Sequence, residues 1–558
     1  MRVLFSTSSP ASYMLPPQLS DEQVVCGPDW PDDIAADGRV RSLATPVGSY
    51  DLATIAAKLP PEQRPDVVVC LVDASWRNTP ANLAAFGCPR VLLVADTHHL
   101  NTPLLGMLRY MGGEPFDRVI FLYDRHHLPL FRSLGLSNAY WFPGLTFAYS
   151  DAEVKAARRE LREPRIAFVG QAGKFHPRRT RLLAALTSRG LPLAQQHLPQ
   201  RAGLDFYGAS LAGFNASLNG DLNLRIFEIL AAGAGLLTDR LGPESGLAPL
   251  LTEGREFLAY GSETELTRAA AGLMGNPAAA RELGAAGARW FDHYFNETAR
   301  RAAFQKLVFD GAAPFPFSTD KDNRVFFGGD PDRLIPSLMV YEGLQEQHRT
   351  QETVRVAVDA AVPADILEIC ATLPRVVVLA DPAGADWLVV SRHLVGEKFA
   401  GRADRIWCWD ATADDGAALA AIFSAGGLVA MSKDVALFGR VAKPVVPAAP
   451  IPSVAMEAAR ARRLFEAADY AAALEIARAV LQRDGRCVAA LAVLGDLALL
   501  KKSGPLAEKI FRQARGMGTG EPVLVAGLAE ALVLQGKFSE AETLLNAARR
   551  RAPAELRL

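Results

Sequence analysis

Two charged residues three apart, Arg225 and Glu228, stand in the segment Asn223-Leu-Arg225-Ile-Phe-Glu228-Ile-Leu-Ala-Ala-Gly233. On a helix this spacing puts both side chains on one face, near the N-terminal end. Gly233 then ends the helix and lets the apolar run Leu236-Leu237 follow as a short strand. In a crevice, such a carboxylate can accept hydrogen bonds from two vicinal hydroxyls of a ribose. A guanidinium one turn earlier can meet a phosphate through two donors. The helix N-terminus, where Asn223 stands, itself favours an anion. Charge-assisted contacts of this kind contribute roughly 1.5 to 3 kcal/mol each. On spacing alone, the same pair reads more simply as a surface ion pair worth a few tenths of a kcal/mol.

Three further groups can do chemistry. The loop Gly170-Gln-Ala-Gly173-Lys174-Phe-His176-Pro-Arg178-Arg179 follows a strand-like run and precedes a helix. Its two glycines let backbone N–H groups approach an anion, and Lys174 and Arg178 add positive charge. A tight turn with a solvated basic helix start explains the same residues. Asp96-Thr-His98-His99 closes the strand-like run Arg90 to Ala95, and the ends of parallel strands are where open α/β sheets bind ligands. Asp96 or His98 is the candidate base that takes a proton from an attacking hydroxyl, the alternative being a capping aspartate beside surface histidines. Asp124-Arg125-His126-His127 follows the next strand in the same way and is a weaker candidate for touching substrate.

The elements that must position these residues alternate. Arg2 to Phe5, Asp66 to Asp73, Arg90 to Asp96 and Arg118 to Tyr123 are short apolar runs rich in β-branched residues. Helical segments such as Leu52 to Leu59 and His126 to Leu134 lie between them. That alternation predicts a doubly wound parallel sheet over residues 1–160. After a charged helix-like stretch, Asp151 to Glu163, the pattern restarts at Arg165 to Gly170 and runs through residues 161–310. Residues 311–445 hold apolar runs at Val354 to Val358, Arg375 to Ala380, Trp387 to Val390, Ile406 to Trp409 and Leu428 to Met431. With helical stretches at Pro363 to Leu373 and Asp415 to Ala425, they read as a small α/β region without a chemical motif. The Pro-rich stretch Lys443 to Pro452 reads as a stiff linker.

The stretch from Leu218 to Tyr260 resembles the CgeB-like glycosyltransferases, a spore-protein-associated branch of the two-lobed GT-B class. The residues that carry the likeness are the Asn223 to Gly233 core, Leu236 to Asp239, and Gly254 to Tyr260 followed by Ser262 to Leu266. Phe168-Val-Gly170 before a helix is similar too. The resemblance implies two Rossmann-like lobes, an acceptor lobe at 1–160 and a donor lobe at 161–310. It implies Glu228 on the donor ribose, Arg225 near the diphosphate, a nucleoside-diphosphate sugar as donor, and neither cofactor nor metal. Many retaining relatives place a second glutamate eight positions before the ribose one. Here that position is Gly220, so the stereochemical course stays open.

Ala473, Ala507 and Ala541 are spaced 34 residues apart within 453–558, with Gly536, Phe538, Leu545 and Pro553 around the last of them. That period and those small residues form the tetratricopeptide pattern, a helix-turn-helix array that presents a concave surface to a protein. A protein acceptor, or a protein partner, is therefore expected, flagellin or another surface protein by analogy.

Composition bounds the rest. A chain of 558 residues is too long for one core. The net charge of -1 gives no pull toward nucleic acid, and none is expected as a partner. The six cysteines form no C-x-x-C pair and read as reduced thiols. The H-E-x-x-H and G-x-S-x-G signatures are absent as well. Neither a signal-peptide core nor a membrane span is read, so a cytoplasmic protein is expected. The leading expectation is glycosyl transfer. The alternatives are an inactive scaffold that works through its repeats, and a sugar-nucleotide epimerase that needs no acceptor.

Overall fold

The run Val67–Val72 is buried at every position and forms an inner strand of an eight-stranded sheet. Burial on both faces is what a parallel sheet covered by helices demands of its strands. The structure is a computed structural model. It describes the chain outside residues 9–15, 96, 98–102, 174–175, 314, 318–323, 351–352, 359–361, 374, 381–383, 392–404, 410–425, 433–434, 441–453, 467–468, 517–521 and 552–558. Two compact units divide it, Met1–Ala442 and Lys443–Leu558.

The first sheet is built from β1 (Arg2–Ser6), β2 (Glu22–Gly27), β3 (Asp33–Ile34), β4 (Val40–Ala44), β6 (Val67–Val72), β8 (Arg90–Val94), β9 (Arg118–Phe121) and β10 (Ala139–Trp141); β5 (Gly48–Asp51) and β7 (Asn78–Ala81) form a separate parallel pair. Its order is β10-β9-β8-β6-β1-β2-β4-β3, parallel throughout except for the β3–β4 edge. Around it lie α1 (Leu52–Ala56), α2 (Pro103–Gly113) and α3 (Leu128–Ser133). A capping box at Ser150 and Glu153 then starts α4 (Asp151–Ala157). This helix stops before Glu163, where the expected helix gives way to a strand that already contains Pro164.

The second sheet consists of β11 (Glu163–Val169), β12 (Leu193–Gln196), β13 (Ser210–Phe214), β14 (Gly235–Asp239) and β15 (Phe257–Tyr260), in the order β12-β11-β13-β14-β15 and all parallel. The helices of this lobe are α5 (Pro177–Ser188), α6 (Gln200–Gly208), α7 (Leu224–Ala232), α8 (Leu247–Leu250), α9 (Glu263–Gly275) and α10 (Pro277–Tyr294).

Two helices cross the boundaries read from sequence. α11 (Glu297–Asp310) was expected in the second lobe but packs on the first. Arg118 Nε donates to the Leu307 carbonyl at 3.0 Å, and Arg301 Nη1 to Asp21 at 2.8 Å. α12 (Pro331–Thr350), read with the small α/β region, also lies on the first lobe. Its Glu342 carboxylate accepts the free amides of Leu104 and Leu105 at 2.7 and 3.1 Å and so caps α2. Gln345 Nε2 donates to the Thr97 carbonyl at 2.9 Å. Both helices return because their apolar faces complete the first core, which includes Leu307, Val308, Leu334, Leu338 and Tyr341.

The rest of the small region is a third sheet, as the apolar runs predicted: β16 (Val354–Val358), β17 (Val376–Leu379), β18 (Trp387–Ser391), β19 (Arg405–Trp409), β20 (Gly426–Ser432) and β21 (Val435–Arg440), in the order β17-β16-β18-β19-β21-β20. The first four strands are parallel, β21 is antiparallel to β19 and to β20, and α13 (Ala364–Ala371) follows β16. The helix expected at 415–425 and the linker expected at 443–452 lie outside the described residues.

The second unit is all helical: α14 (Val454–Glu466), α15 (Tyr470–Arg483), α16 (Val488–Leu500), α17 (Gly504–Arg515), α18 (Pro522–Val533) and α19 (Phe538–Arg551). The spaced alanines Ala473, Ala507 and Ala541 are buried where these helices meet. Phe511 fills the gap left by two glycines. A Cβ would stand 2.5 Å from its ring at Gly495 and 2.3 Å from it at Gly527. Among the described residues no helix is long and apolar enough to cross a membrane.

One close approach locks the core of the second lobe. A Cβ on Gly284 of α10 would lie 2.2 Å from the Gly233 carbonyl oxygen, against backbone that cannot rotate away. Gly284→Ala is expected to destabilise the first unit by about 1 to 3 kcal/mol, read as a lowered thermal midpoint. An unchanged midpoint would mean that α10 does not pack this closely.

Candidate functional site

In the second sheet the chain leaves β11 toward β12 on one side and toward β13, β14 and β15 on the other. The carboxyl ends of β11 and β13 therefore flank the switch point where open α/β sheets bind ligands. Arg225 is anchored there. Its Nε donates to the Val169 carbonyl at 2.9 Å and its Nη1 to Asn215 Oδ1 at 2.9 Å, so one guanidinium bridges the two strand ends. α7 places it. Ile226, Phe227, Ile229 and Leu230 are buried and hold the helix to the sheet, and Gly233 at φ 69° closes it. Gly170, at φ 144°, admits the guanidinium, because a Cβ there would lie 2.6 Å from Arg225 Nη2.

Around this bridge the structure gathers three more arginines. Arg179 and Arg225 both lie over the Phe168 ring, at 5.7 and 4.8 Å from its centroid. Arg179 donates to the Gln171 and Ala216 carbonyls. Arg178 Nη1 pairs with Asp239 Oδ2 at 3.0 Å. Arg375, from the loop before β17, donates to the Leu218 carbonyl at 2.9 Å and stands 3.9 Å from the same Asp239 oxygen. The carboxylates facing this group are Asp239 and Asp221. Asp221 accepts the amides of Leu218 and Asn219. Four guanidinium groups thus meet the carboxylates of Asp239 and Asp221, with Glu228 beside Arg225. Burial, then the Arg225 charge, pulls Arg179 down to about 9, and burial, then Arg178, does the same to Arg375. Nε of Arg178, Nε of Arg179 and both polar atoms of the Asn223 amide are buried without a hydrogen-bond partner among the described residues.

Glu228 sits one turn beyond Arg225. Its residue surface is only part-buried, but its carboxyl group is shielded. That burial pushes its pKa up to about 7, against the pull of Arg225 and of the Tyr149 hydroxyl. The Tyr149 hydroxyl reaches Glu228 Oε1 at 3.3 Å and also donates to the Gln200 carbonyl. A carboxyl whose proton is loosely held near neutrality, beside a fixed guanidinium, suits recognition of a diol by its charged form.

The sequence-predicted residues separate into those the fold brings together and those it does not. Asn223, Arg225, Glu228 and Arg178 share the switch point. Gly170 and Gly173 line it with the positive φ expected, at 144° and 120°. Their amides differ from the expectation, since Gly170 N–H donates to the Gln196 carbonyl and Gly173 N–H to the Thr180 hydroxyl, so these two do not form an anion cradle. Arg225 spends two donors on the strand ends rather than on a ligand, and Arg178 is tied to Asp239. Asp96, His98 and Lys174 lie outside the described residues. The Asp124-Arg125-His126-His127 cluster is not open to substrate: Asp124, His126 and His127 are 2%, 2% and 0% exposed, beneath Tyr341 of α12. Sequence reasoning missed Arg179, Arg375, Tyr149 and Asn215. Arg179 was visible as the neighbour of Arg178, whereas Arg375 stands in a region with no motif.

Residues 154–305 match a family model described as glycosyl transferase-like, and residues 505–558 match one described as tetratricopeptide repeat. No curated protein matches the chain. Among solved structures the chain is similar to sucrose-phosphate synthase of Thermosynechococcus elongatus, at 15% identity over 55% of this chain and 97% of that one, with a TM-score of 0.39. It is also similar to HepE of Anabaena in complex with UDP and glucose, at 12% identity over 56% of this chain and 100% of that one, with a TM-score of 0.38. The translocator chaperone SycD of Yersinia enterocolitica is similar at 20% identity over 19% of this chain and 79% of that one, with a TM-score of 0.18. The chain thus joins a glycosyltransferase-like region, on mixed α/β lobes with parallel sheets, to a tetratricopeptide-like helical region.

The raised pKa of Glu228 has a stability consequence. The unfolded carboxyl, near 4.5, ionises before the folded one at about 7, so the cost of the buried charge develops as pH rises from about 4.5 to about 7. Below that window the folded carboxyl is neutral and costs little; above it the cost is complete. Glu228→Gln is expected to raise the thermal midpoint relative to the natural chain at pH 8 and to leave little difference at pH 4.5. An equal effect at both pH values would show that the carboxyl is not held neutral by burial.

Proposed function

We propose that this protein transfers a sugar from a nucleoside-diphosphate sugar to an acceptor, with the donor held on the second lobe. One observation carries the reading: a buried excess of guanidinium over carboxylate at the strand switch point, with donors on Arg178, Arg179 and Asn223 that find no partner among the described residues. Buried charge of one sign without compensation is costly. A diphosphate supplies the compensation and accepts from those donors through short, charge-assisted bonds. The glycosyl transferase-like match over 154–305 spans Arg178, Arg179, Arg225, Glu228 and Asp239.

In this reading the diphosphate lies against the arginine cluster, which stabilises the charge that grows on the leaving group as the glycosidic bond to phosphate breaks. The guanidinium groups do this without a metal ion. Glu228, in its charged form, accepts hydrogen bonds from the ribose hydroxyls, and Arg225 fixes the strand ends that frame the pocket. The Asn223 to Gly233 motif supports a CgeB-like branch. The acceptor approaches from the first lobe, where Asp96 or His98 takes its proton. The helical repeats at 453–558 recruit a protein acceptor.

Saturation-transfer NMR with UDP, GDP and dTDP sugars tests the donor reading. At least one nucleotide is expected to bind, and Glu228→Gln to weaken it by about 1 to 3 kcal/mol with the fold intact. If no nucleotide binds the folded protein, the scaffold reading replaces this one. Removing residues 453–558 is expected to spare donor hydrolysis and impair transfer to a protein. Undiminished transfer would refute recruitment by the repeats.

A further inference from the structure

The buried cluster on the first lobe has no part in the donor site, yet its chemistry is specific. Asp124 leaves the end of β9, Arg125–His127 make one 3-10 turn, and α3 begins at Leu128. This tight turn turns Asp124, His126 and His127 inward together. One ligand atom from each lies within 4.8 Å of the others, and Asp124 Oδ1 is 3.9 Å from His126 Nε2. We propose that Asp124, His126 and His127 bind one divalent transition-metal ion of the zinc type.

The hydrogen bonds behind the cluster prepare it for that role. Thr97 Oγ1 is 3.0 Å from Asp124 Oδ2 and 2.8 Å from His127 Nδ1. An ionised carboxylate only accepts, so the Thr97 hydroxyl donates to Asp124 and its oxygen accepts from His127 Nδ1–H. This assignment makes Nε2 the lone-pair nitrogen of a neutral His127. It also leaves Asp124 Oδ1 as the oxygen on the cluster side. A ligating imidazole held through its other nitrogen is the usual support around a metal ion. Two imidazoles and a carboxylate form a donor set suited to zinc, whose tetrahedral ligands at about 2.0 to 2.2 Å stand roughly 3.3 to 3.6 Å from one another. Capture therefore needs shifts of about 1 Å. The cation next in sequence is turned away. Arg125 Nη1 donates to the Glu244 carbonyl, and its guanidinium lies over the Trp141 ring. His126 also lines a cavity of about 280 Å³, together with Arg125, Glu244 and Thr372. The ion would fix the turn after β9 beneath α12, a structural role. The resemblance implies no metal for the transfer itself, and a D-x-H-H turn matches neither C-x-x-C nor H-E-x-x-H.

The full-length chain, stripped with chelator and dialysed, should be titrated with zinc chloride against a chromophoric competitor, with bound metal counted by mass spectrometry. One equivalent is expected, and Thr97→Val should weaken it about 10- to 100-fold. His126→Gln and His127→Gln should abolish stoichiometric binding, while His293→Gln, on an exposed helix end, should not. The natural chain alone decides the matter if a variant fails to fold. Its cobalt(II) form should show the strong visible band of tetrahedral coordination. Substoichiometric uptake by the folded natural chain, a weak octahedral cobalt spectrum, or full binding by both folded glutamine variants would each overturn the site. Nucleotide titration of the same samples keeps this outcome separate from that of the arginine site.

Discussion

The carboxylate of Asp239 is the charge around which the second lobe is arranged. It ends β14 and is 2% exposed. It accepts from the amide and hydroxyl of Ser217, each at 3.0 Å, and from Arg178 at 3.0 Å. A carboxylate this far from water is tolerable only when it is bonded and paired. Satisfying it draws the 215–222 loop, the start of α5 and Arg375 to one point. The pairing overshoots, however. With Asp221 and Glu228 as the other carboxyl groups, the four guanidinium groups still outnumber them. Burial first, and then a neighbouring guanidinium, pull Arg179 and Arg375 down to about 9. The proposed diphosphate would offset that charge.

Arg375 gives the third sheet a place in this arrangement. The region between the lobes and the repeats carries no motif, and its first helix and the loop before β17 both serve the lobes. α12 seals the strand ends of the first lobe through Gln345 and Tyr341. The loop before β17 delivers a guanidinium to Asp239 and to the Leu218 carbonyl. The consequence for the first lobe is a trade. Its β9 end is closed over, and Asp124, His126 and His127 become interior groups rather than groups a substrate could meet.

The sequence carried the periodic features well. Long apolar strands such as Val67–Val72, the α7 segment with its closing glycine, and the spaced alanines of the repeats are local patterns, and local patterns survive folding. Strands with weaker signatures escaped notice. β13 reads Ser-Leu-Ala-Gly-Phe, with a glycine and an alanine where β-branched residues were sought. Its glycine is needed because Ile229 of α7 packs on it, at 2.6 Å from where a Cβ would stand. Arg225 was found by spacing, but its partners Val169 and Asn215 are 56 and 10 residues away, so its anchoring could not be read. The distribution of cations between lobe and ligand is a property of long-range packing, and so is the burial that separates Arg125 from its histidine neighbours.

Glu228 shows how recognition and stability oppose each other at a single atom pair. Shielding raises its pKa to about 7, so the folded chain holds it partly neutral at physiological pH. The charged form is the better acceptor for two hydroxyls, and hydrogen bonding to the charged form lowers a carboxyl pKa. A ligand diol therefore supplies the stabilisation that burial withholds, and its binding draws the carboxyl toward ionisation. The nearby Arg225 reinforces this because its own charge is fixed by the strand ends and cannot follow the ligand. On the proposed reading, a ligand that brings both a diol and an anion would offset the cost of holding Glu228 out of water.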